Sequence, residues 1–237
     1  MNGLMHQRRN MALFSVALLW SHVPLILALG WLSPGGDTVG AVSLAGIAAL
    51  CASLAVWRDP AGLSARGVVA IALVMVVSAL VYDMRDSAWQ IDLHMYYFAA
   101  LAILAGFACP ATVLLGAGAT AAHHLVLNFA MPAAVFPGGG DFWRVVLHAV
   151  IVVLETGVLV WLVSWLGQAL QRSETALDEV RRAQAENERL RAEVDESDAV
   201  VDKLARLLAE TAIVIKGPEP DITKWSYHDI PDGVRAI

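Results

Sequence analysis

The chain has 237 residues, of which 58% are hydrophobic and 16% are charged, and its mean hydropathy is +0.61. Soluble domains carry about 25% charged residues, so this composition excludes an ordinary soluble domain and favours a chain embedded in a bilayer. Charges are sparse up to about residue 170 and frequent afterwards, so the net charge of −6 comes largely from the C-terminal part. That balance does not indicate a nucleic-acid partner, and we expect none.

Six apolar stretches are long enough to cross the ~30 Å hydrocarbon core of a bilayer as helices, which takes about 20 residues. They lie at residues 11–32, 40–57, 66–83, 91–109, 111–131 and 145–168. Gly and Pro residues separate them, and Pro110 predicts a tight hairpin between the fourth and fifth stretches. The pattern predicts an all-α membrane protein with a six-transmembrane-helix bundle over residues 1–168. Cys51 and Cys109 show no CxxC spacing and are predicted to be small buried residues.

Basic residues are distributed unevenly over the predicted loops. With the N-terminus inside the cell, the inner side holds Arg8, Arg9, Arg58, Arg66 and Arg172. The outer side then holds Arg85 and Arg144. An excess of arginine on the cytoplasmic side satisfies the positive-inside rule, and an even number of spans puts both termini in the cytoplasm.

From about residue 169, apolar residues recur in a seven-residue pattern. The a positions are Ser173, Val180, Asn187, Val194, Val201, Leu208 and Ile215, and the d positions are Ala176, Ala183, Leu190, Ser197, Leu204 and Thr211. Val at a with Leu at d favours two parallel strands, and Asn187 would fix their register. We predict a cytoplasmic coiled-coil helix over residues 169–216 that forms a homodimer. A single amphipathic helix is the alternative. Residues 217–237 are predicted as a short polar tail.

Several histidines lie in or beside the apolar stretches. They are His22, His94, His123, His124 and His148. Ionisable side chains in a membrane span are costly and usually face a bundle interior where they serve a function. At ~1.5 Å per helical residue, His94 and His148 lie within roughly 6 Å of the outer boundary, and His124 and His22 about 12–14 Å from it. These side chains from four helices therefore all fall in the outer half of the membrane.

This distribution predicts a binding site for haem b or for a transition metal, copper or zinc, because imidazole is the commonest ligand for these centres. All five histidines are candidates for binding the cofactor. By depth, His22 pairs with His124 and His94 with His148, and these four are the predicted metal ligands. His123 and His124 diverge by about 100° and cannot point the same way. The side chains predicted to orient the rings are Tyr96, Tyr97, Asn128 and Glu155. The alternative is that the histidines only join helices by hydrogen bonds and bind no cofactor.

Four segments of the sequence are similar to segments of a known protein family. They are LWSHVPL at 19–25, DLHMYYF at 92–98, HHLVLN at 123–128 and the run from Arg144 to Glu155. Together they resemble the N-terminal membrane sensor region of a group of bacterial methyl-accepting chemotaxis proteins and of related membrane diguanylate cyclases, over about residues 11–170. The resemblance implies a six-span sensory module of the bacterial inner membrane that signals into a cytoplasmic helix. It marks the same five histidines and Glu155. The output domains of those families have no counterpart here, so we expect either a cytoplasmic signalling partner or a free-standing sensor or binding module.

The sequence therefore predicts a membrane sensor or signal-transduction module in contact with membrane lipid. We do not expect an enzyme, because the sequence has no Gly-rich phosphate loop, Ser/His/Asp arrangement or HExxH motif. One alternative is a small proton or ion transporter that uses Glu155 and the histidines. The other is a membrane anchor or scaffold in which the histidines are structural.

Overall fold

A computed structural model describes residues 3–32 and 36–215. Within these residues the chain forms seven α-helices, one 3₁₀ turn and no strand, which confirms the predicted all-α membrane fold. The helices are α1 (Gly3–Leu32), α2 (Thr38–Arg58), α3 (Leu63–Asp83), α4 (Gln90–His94), α5 (Tyr96–Ala105), α6 (Pro110–Ala130) and α7 (Phe142–Ile215). The 3₁₀ turn, Pro132–Ala134, lies between α6 and α7.

Among the described residues, α1, α2, α3, α6 and α7 are long and apolar enough to cross a membrane. The fourth predicted span, residues 91–109, is shorter than expected, because its apolar helical part covers only Gln90–Ala105 and is divided into α4 and α5. At ~1.5 Å per residue, such a segment reaches only about 24 Å. The division falls at Met95, where the backbone bonds from Met95 to Asp92 and from Phe98 to Met95 form tighter, three-residue turns.

The central helix of the bundle is α3, which contacts α1, α2, α5 and α6. It is apolar around its whole circumference, as a helix enclosed by other helices must be. The face of α2 that packs against its neighbours carries Ala41, Ala45, Ala49 and Ala52, whose small size lets the backbones approach closely. Large apolar side chains such as Leu54 are exposed on the opposite face, which suits contact with lipid.

Two connections determine where α6 and α7 begin. Residues 106–109 form the predicted hairpin turn, in which Ala108 has a φ of 47° and Pro110 is the first residue of α6. Cys109 is buried as predicted, whereas Cys51 is exposed, because it lies on the outward face of α2. At the start of α7, the Asp141 carboxylate accepts hydrogen bonds from backbone N–H groups in the first turn, at 2.9 and 3.2 Å.

The chain divides into two compact units, of which the first ends at Ala176 and the second begins at Leu177. In the second unit the described side chains, up to residue 211, are exposed. Apolar members of the predicted heptad are among them, namely Val180, Leu190, Val194, Val201, Leu204 and Leu208. The predicted helix over this region is confirmed, and its pairing into a coiled coil stays a prediction. The predicted tail, residues 217–237, lies outside the described residues.

Candidate functional site

Three imidazole rings from three different helices meet at one end of the bundle. They belong to His94 at the end of α4, His124 in α6 and His148 in α7. Their ring centroids are 4.9 Å apart for His94 and His124, 5.3 Å for His94 and His148, and 6.0 Å for His124 and His148. We call this set the imidazole triangle. Its closest contact joins Nε2 of His94 to Nε2 of His124 at 3.0 Å.

Local sequence explains how each ring reaches the triangle. Thr120, His124 and Asn128 follow one another at four-residue spacing, so they form one buried face of α6. His94 precedes the break at Met95, where the chain turns more tightly than an α-helix. His148 lies two turns into α7, on the half-buried side of that helix.

Backbone carbonyls fix the protonation pattern of two rings in the triangle. Nδ1 of His124 donates to the carbonyl of Thr120 at 2.8 Å, and Nδ1 of His148 donates to that of Arg144 at 2.8 Å. A carbonyl can only accept, so in the neutral rings the proton is on Nδ1 and Nε2 carries a lone pair. Metal-binding histidines are commonly oriented in this way, by a hydrogen bond from the second ring nitrogen.

Tyr97 connects the triangle to a fourth histidine. Its buried ring lies 5.2 Å from that of His94 and 4.8 Å from that of His124. Its hydroxyl hydrogen-bonds with Ser78 Oγ at 2.9 Å and with His123 Nδ1 at 3.4 Å. The His123 ring also contacts that of His124 directly, with centroids 5.3 Å apart and an interplanar angle of 68°, so the two rings point in different directions but still meet.

The sequence analysis did not identify Phe136, which covers the triangle from the connection between α6 and α7. Its buried ring stacks on His94 at 5.7 Å and contacts the edge of His148 at 5.1 Å. The Pro and Gly residues of this connection indicated only a turn, and no signal distinguished Phe136 from an ordinary loop residue.

The rings are paired differently from the prediction based on depth. His124 contacts His94, whereas His22 stacks on Tyr96 with centroids 5.4 Å apart. Among the described residues, His22 makes no ring contact with another histidine. The depth estimate treated every helix as straight and upright, and the short, interrupted α4–α5 segment does not satisfy that assumption.

The four predicted orienting residues differ in what they contact. Asn128 Oδ1 accepts a hydrogen bond from the backbone N–H of Asp141 at 2.9 Å, so it holds the start of α7 instead of an imidazole. Glu155 Oε2 is buried, and the described residues include no hydrogen-bond partner for it. Tyr96 contacts His22, outside the triangle, and Tyr97 is the predicted residue that lies against the triangle itself.

Two cavities border the triangle. One, of about 630 Å³, lies between α6 and α7 and is lined by apolar side chains together with His124, His148 and Thr156. The other, of about 390 Å³, is lined by Gln90, His94, Phe136, Arg144 and His148, among others. His148 borders both cavities, so a small ion or molecule can approach the rings from either side.

The rings approach a metal site without completing one. Within residues 3–32 and 36–215, no group of three or more His, Cys, Asp or Glu side chains is already arranged to hold a metal ion. Two imidazole nitrogens bound to tetrahedral zinc at 2.0–2.1 Å are about 3.3 Å apart, and those of His94 and His124 are 3.0 Å apart. To bind zinc, the Nε2 atoms of His94 and His124 need to move apart by a few tenths of an ångström. The His148 ring must also reorient before it can serve as a third ligand.

No family model, curated protein or solved structure matches the chain. The resemblance to the sensor regions of chemotaxis proteins and diguanylate cyclases therefore stays a prediction. The geometry of the imidazole triangle is the basis on which a function is assigned.

Proposed function

We propose that this protein is a membrane sensor whose imidazole triangle binds a transition-metal ion, copper or zinc. On this proposal the triangle lies in the outer half of a bacterial inner membrane, and both termini are cytoplasmic. The observation that carries the proposal is the 3.0 Å contact between Nε2 of His94 and Nε2 of His124. Imidazole nitrogens suit both metals.

This contact needs one shared proton between the two nitrogens. His124 presents its Nε2 lone pair, because its Nδ1 proton is directed to Thr120. A neutral His94 ring with its proton on Nε2 donates to that lone pair, which accounts for the 3.0 Å distance in the metal-free protein. When a metal ion binds, the proton of His94 moves to Nδ1, so that the Nε2 lone pairs of both rings face the ion.

The same contact favours an ion over haem b. The two axial ligands of a haem stand on opposite faces of the porphyrin, so the macrocycle separates their rings. The rings of His94 and His124 instead touch directly, at an interplanar angle of 88°. Phe136 and Tyr97 occupy the adjacent space.

Transmission of the signal is proposed to run through α7. His148 belongs to this helix, which continues without interruption to Ile215. When a metal draws His148 toward His94 and His124, α7 shifts or rotates. The exposed heptad residues of the second unit support a homodimer through that helix, or a cytoplasmic signalling partner, because they leave an apolar seam uncovered.

Elemental analysis and absorbance spectroscopy of the detergent-purified protein test the proposal. After incubation with zinc or copper and removal of excess metal, the wild type should retain about one ion per chain, and His124→Ala should retain almost none. His22→Ala is the matched control, because His22 is also buried and its Nδ1 also bonds a helix carbonyl, at 2.6 Å. Equal retention by His124→Ala and the wild type, or a Soret band, would contradict the proposal.

Proton release gives a second test. In a neutral pair, the proton shared by His94 and His124 moves to Nδ1 of His94 when a metal ion binds both Nε2 atoms, so these two rings release no proton. Calorimetry in buffers of different ionisation enthalpy measures the number of protons released, and about zero per ion is expected. Release of about one proton per ion would mean that the pair is protonated in the metal-free protein.

A proton-conducting protein is the second candidate function. It is favoured by Glu155, whose buried Oε2 has no hydrogen-bond partner among the described residues, because such carboxylates occur in proton paths. Proton flux into liposomes that is lost in Glu155→Gln, with metal retention unchanged, would support this candidate. Absence of flux in the wild type would remove it.

A further inference from the structure

A second cluster of buried charge lies at the opposite end of the bundle from the imidazole triangle. Arg66 is in the first turn of α3 and is only 6% exposed. Its Nε and Nη1 atoms have no hydrogen-bond partner among the described residues. A buried charge without a partner is costly, so a group that pairs with Arg66 would stabilise the protein considerably.

A second guanidinium group increases the positive charge at this point. Arg8 of α1 donates from Nε to the carbonyl of Phe107 at 3.4 Å and from Nη2 to that of Ala108 at 3.5 Å. These carbonyls belong to the turn that leads into α6. The charges of Arg8 and Arg66 interact unfavourably, so the fold brings two like charges together at the beginning of α6.

Helix ends add positive potential to that of the arginines. The N-termini of α3 and α6 lie here. The helix dipole favours an anion at such an end and disfavours a cation. Arg66 also interacts with Cys109, the residue that precedes α6.

The acidic group that acts on Arg66 compensates this charge only weakly. Asp59 is within electrostatic range, but it is exposed and its Oδ1 accepts a hydrogen bond from the N–H of Ala61. The charge of Arg66 also acts on Cys109. Burial raises the pKa of the Cys109 thiol, but hydrogen bonds with Thr112 and the charge of Arg66 lower this pKa overall. The cluster therefore has more positive than negative charge in its immediate surroundings.

We propose that Arg66, Arg8 and the N-terminus of α6 form a binding site for a phosphate-bearing anion. The phosphate would accept hydrogen bonds from the guanidinium of Arg66, whose buried Nε and Nη1 atoms have no partner among the described residues, and lie at the positive end of the α6 dipole. Two sources supply this chemistry, the headgroup of an anionic phospholipid and free phosphate. The proposed site does not depend on metal binding at the other end of the bundle.

Thermal unfolding of the full chain in neutral detergent tests the site. Phosphatidylglycerol, phosphatidylcholine or inorganic phosphate is added separately at matched ionic strength. Phosphatidylglycerol should raise the wild-type Tm by about 5–10 °C at a concentration about 100 times Kd, and phosphatidylcholine should not. A similar rise with inorganic phosphate assigns the site to a free anion, and a rise with phosphatidylglycerol alone assigns it to a lipid headgroup. If neither stabilises the wild type, the proposal is overturned.

Substitutions connect the effect to Arg66. Arg66→Gln should lose the response to the anion, whereas Arg9→Gln, which changes an exposed arginine one residue from Arg8, should keep it. Without the anion, Arg66→Gln should unfold at the same temperature as the wild type or higher, because it removes an unpaired buried charge. A lower Tm for Arg66→Gln by the same amount with and without the anion would mean that Arg66 is purely structural. Native mass spectrometry of retained lipid gives an independent measurement if Arg66→Gln folds poorly.

Discussion

The two ends of the bundle bury polar groups in different ways. At one end the imidazole rings contact one another and hydrogen-bond to helix carbonyls, so most of their partners come from the chain itself. At the other end Arg66 leaves two buried atoms without a partner in the described residues. Because polar groups within a membrane must be satisfied, the first arrangement is typical of a prearranged site, and the second indicates a partner from outside.

Of the substitutions that test this difference between the two ends, His148→Ala is expected to have the largest effect, on metal affinity. His94 and His124 provide two nitrogens already in contact, and on the proposed function His148 would contribute the third ligand and the connection to α7. We expect metal affinity to fall by about 100-fold without complete loss, measured by competition with a chelator of known affinity. Metal-dependent changes in cross-linking at heptad positions of α7 should disappear.

Phe136→Leu is the control for His148→Ala, because it keeps an apolar cover over the rings without altering a ligand. Its metal affinity should stay within about threefold of the wild type. If His148→Ala binds metal as tightly as the wild type, the site is a two-histidine site. The proposed connection to α7 would then lack a physical basis.

A smaller effect is expected for Asn128→Ala. This substitution removes the acceptor of the Asp141 N–H and leaves a backbone donor unpaired beside a tightly packed loop, where a Cβ at Gly140 would meet Asn128 O at 2.6 Å. The expected cost is about 1–3 kcal/mol, or roughly 2–10 °C in Tm. The neighbouring Phe129→Ala changes an exposed side chain and should cost much less. Equal losses of stability would show that the hydrogen bond does not hold the start of α7.

Sequence predicted the helices and the buried face of α6, because both depend on local periodicity. It also named five polar residues that the fold brings together, namely His94, Tyr97, His123, His124 and His148. His124 and Asn128 share a face whatever the surrounding helices do. The partner of His124 depends instead on how far α4 and α5 depart from a straight span. Met95, where they separate, is neither Pro nor Gly, so no residue type in the sequence indicated the break.

The sequence also did not predict which individual side chains the fold would bury. Arg66 was counted among the loop arginines that set orientation, and only the packing of α3 against α6 shows that its side chain is enclosed. Phe136 was one residue of a turn-forming connection. Both depend on contacts between segments distant in the chain, which a periodic pattern does not encode.

The smallest effect is expected for Tyr97→Phe, which tests whether His123 belongs to the metal site or only supports it. The substitution removes the hydroxyl contacts to Ser78 and His123 but keeps the ring against His94 and His124. Since Ser78 Oγ also donates to the carbonyl of Val74, the net cost should be about 0.5–1.5 kcal/mol.

Metal affinity decides the role of the Tyr97 hydroxyl. If the hydroxyl only positions His123, the affinity of Tyr97→Phe should stay within about threefold of the wild type, and His123→Ala should behave in the same way. Ser78→Ala is the matched control, because it removes the other hydrogen-bond partner of the hydroxyl. A loss as large as that of His148→Ala would instead make the hydroxyl a ligand. The set of metal ligands would then extend from the triangle into the α3–α5 interface, and the contrast between a self-contained histidine end and an open arginine end would be stronger.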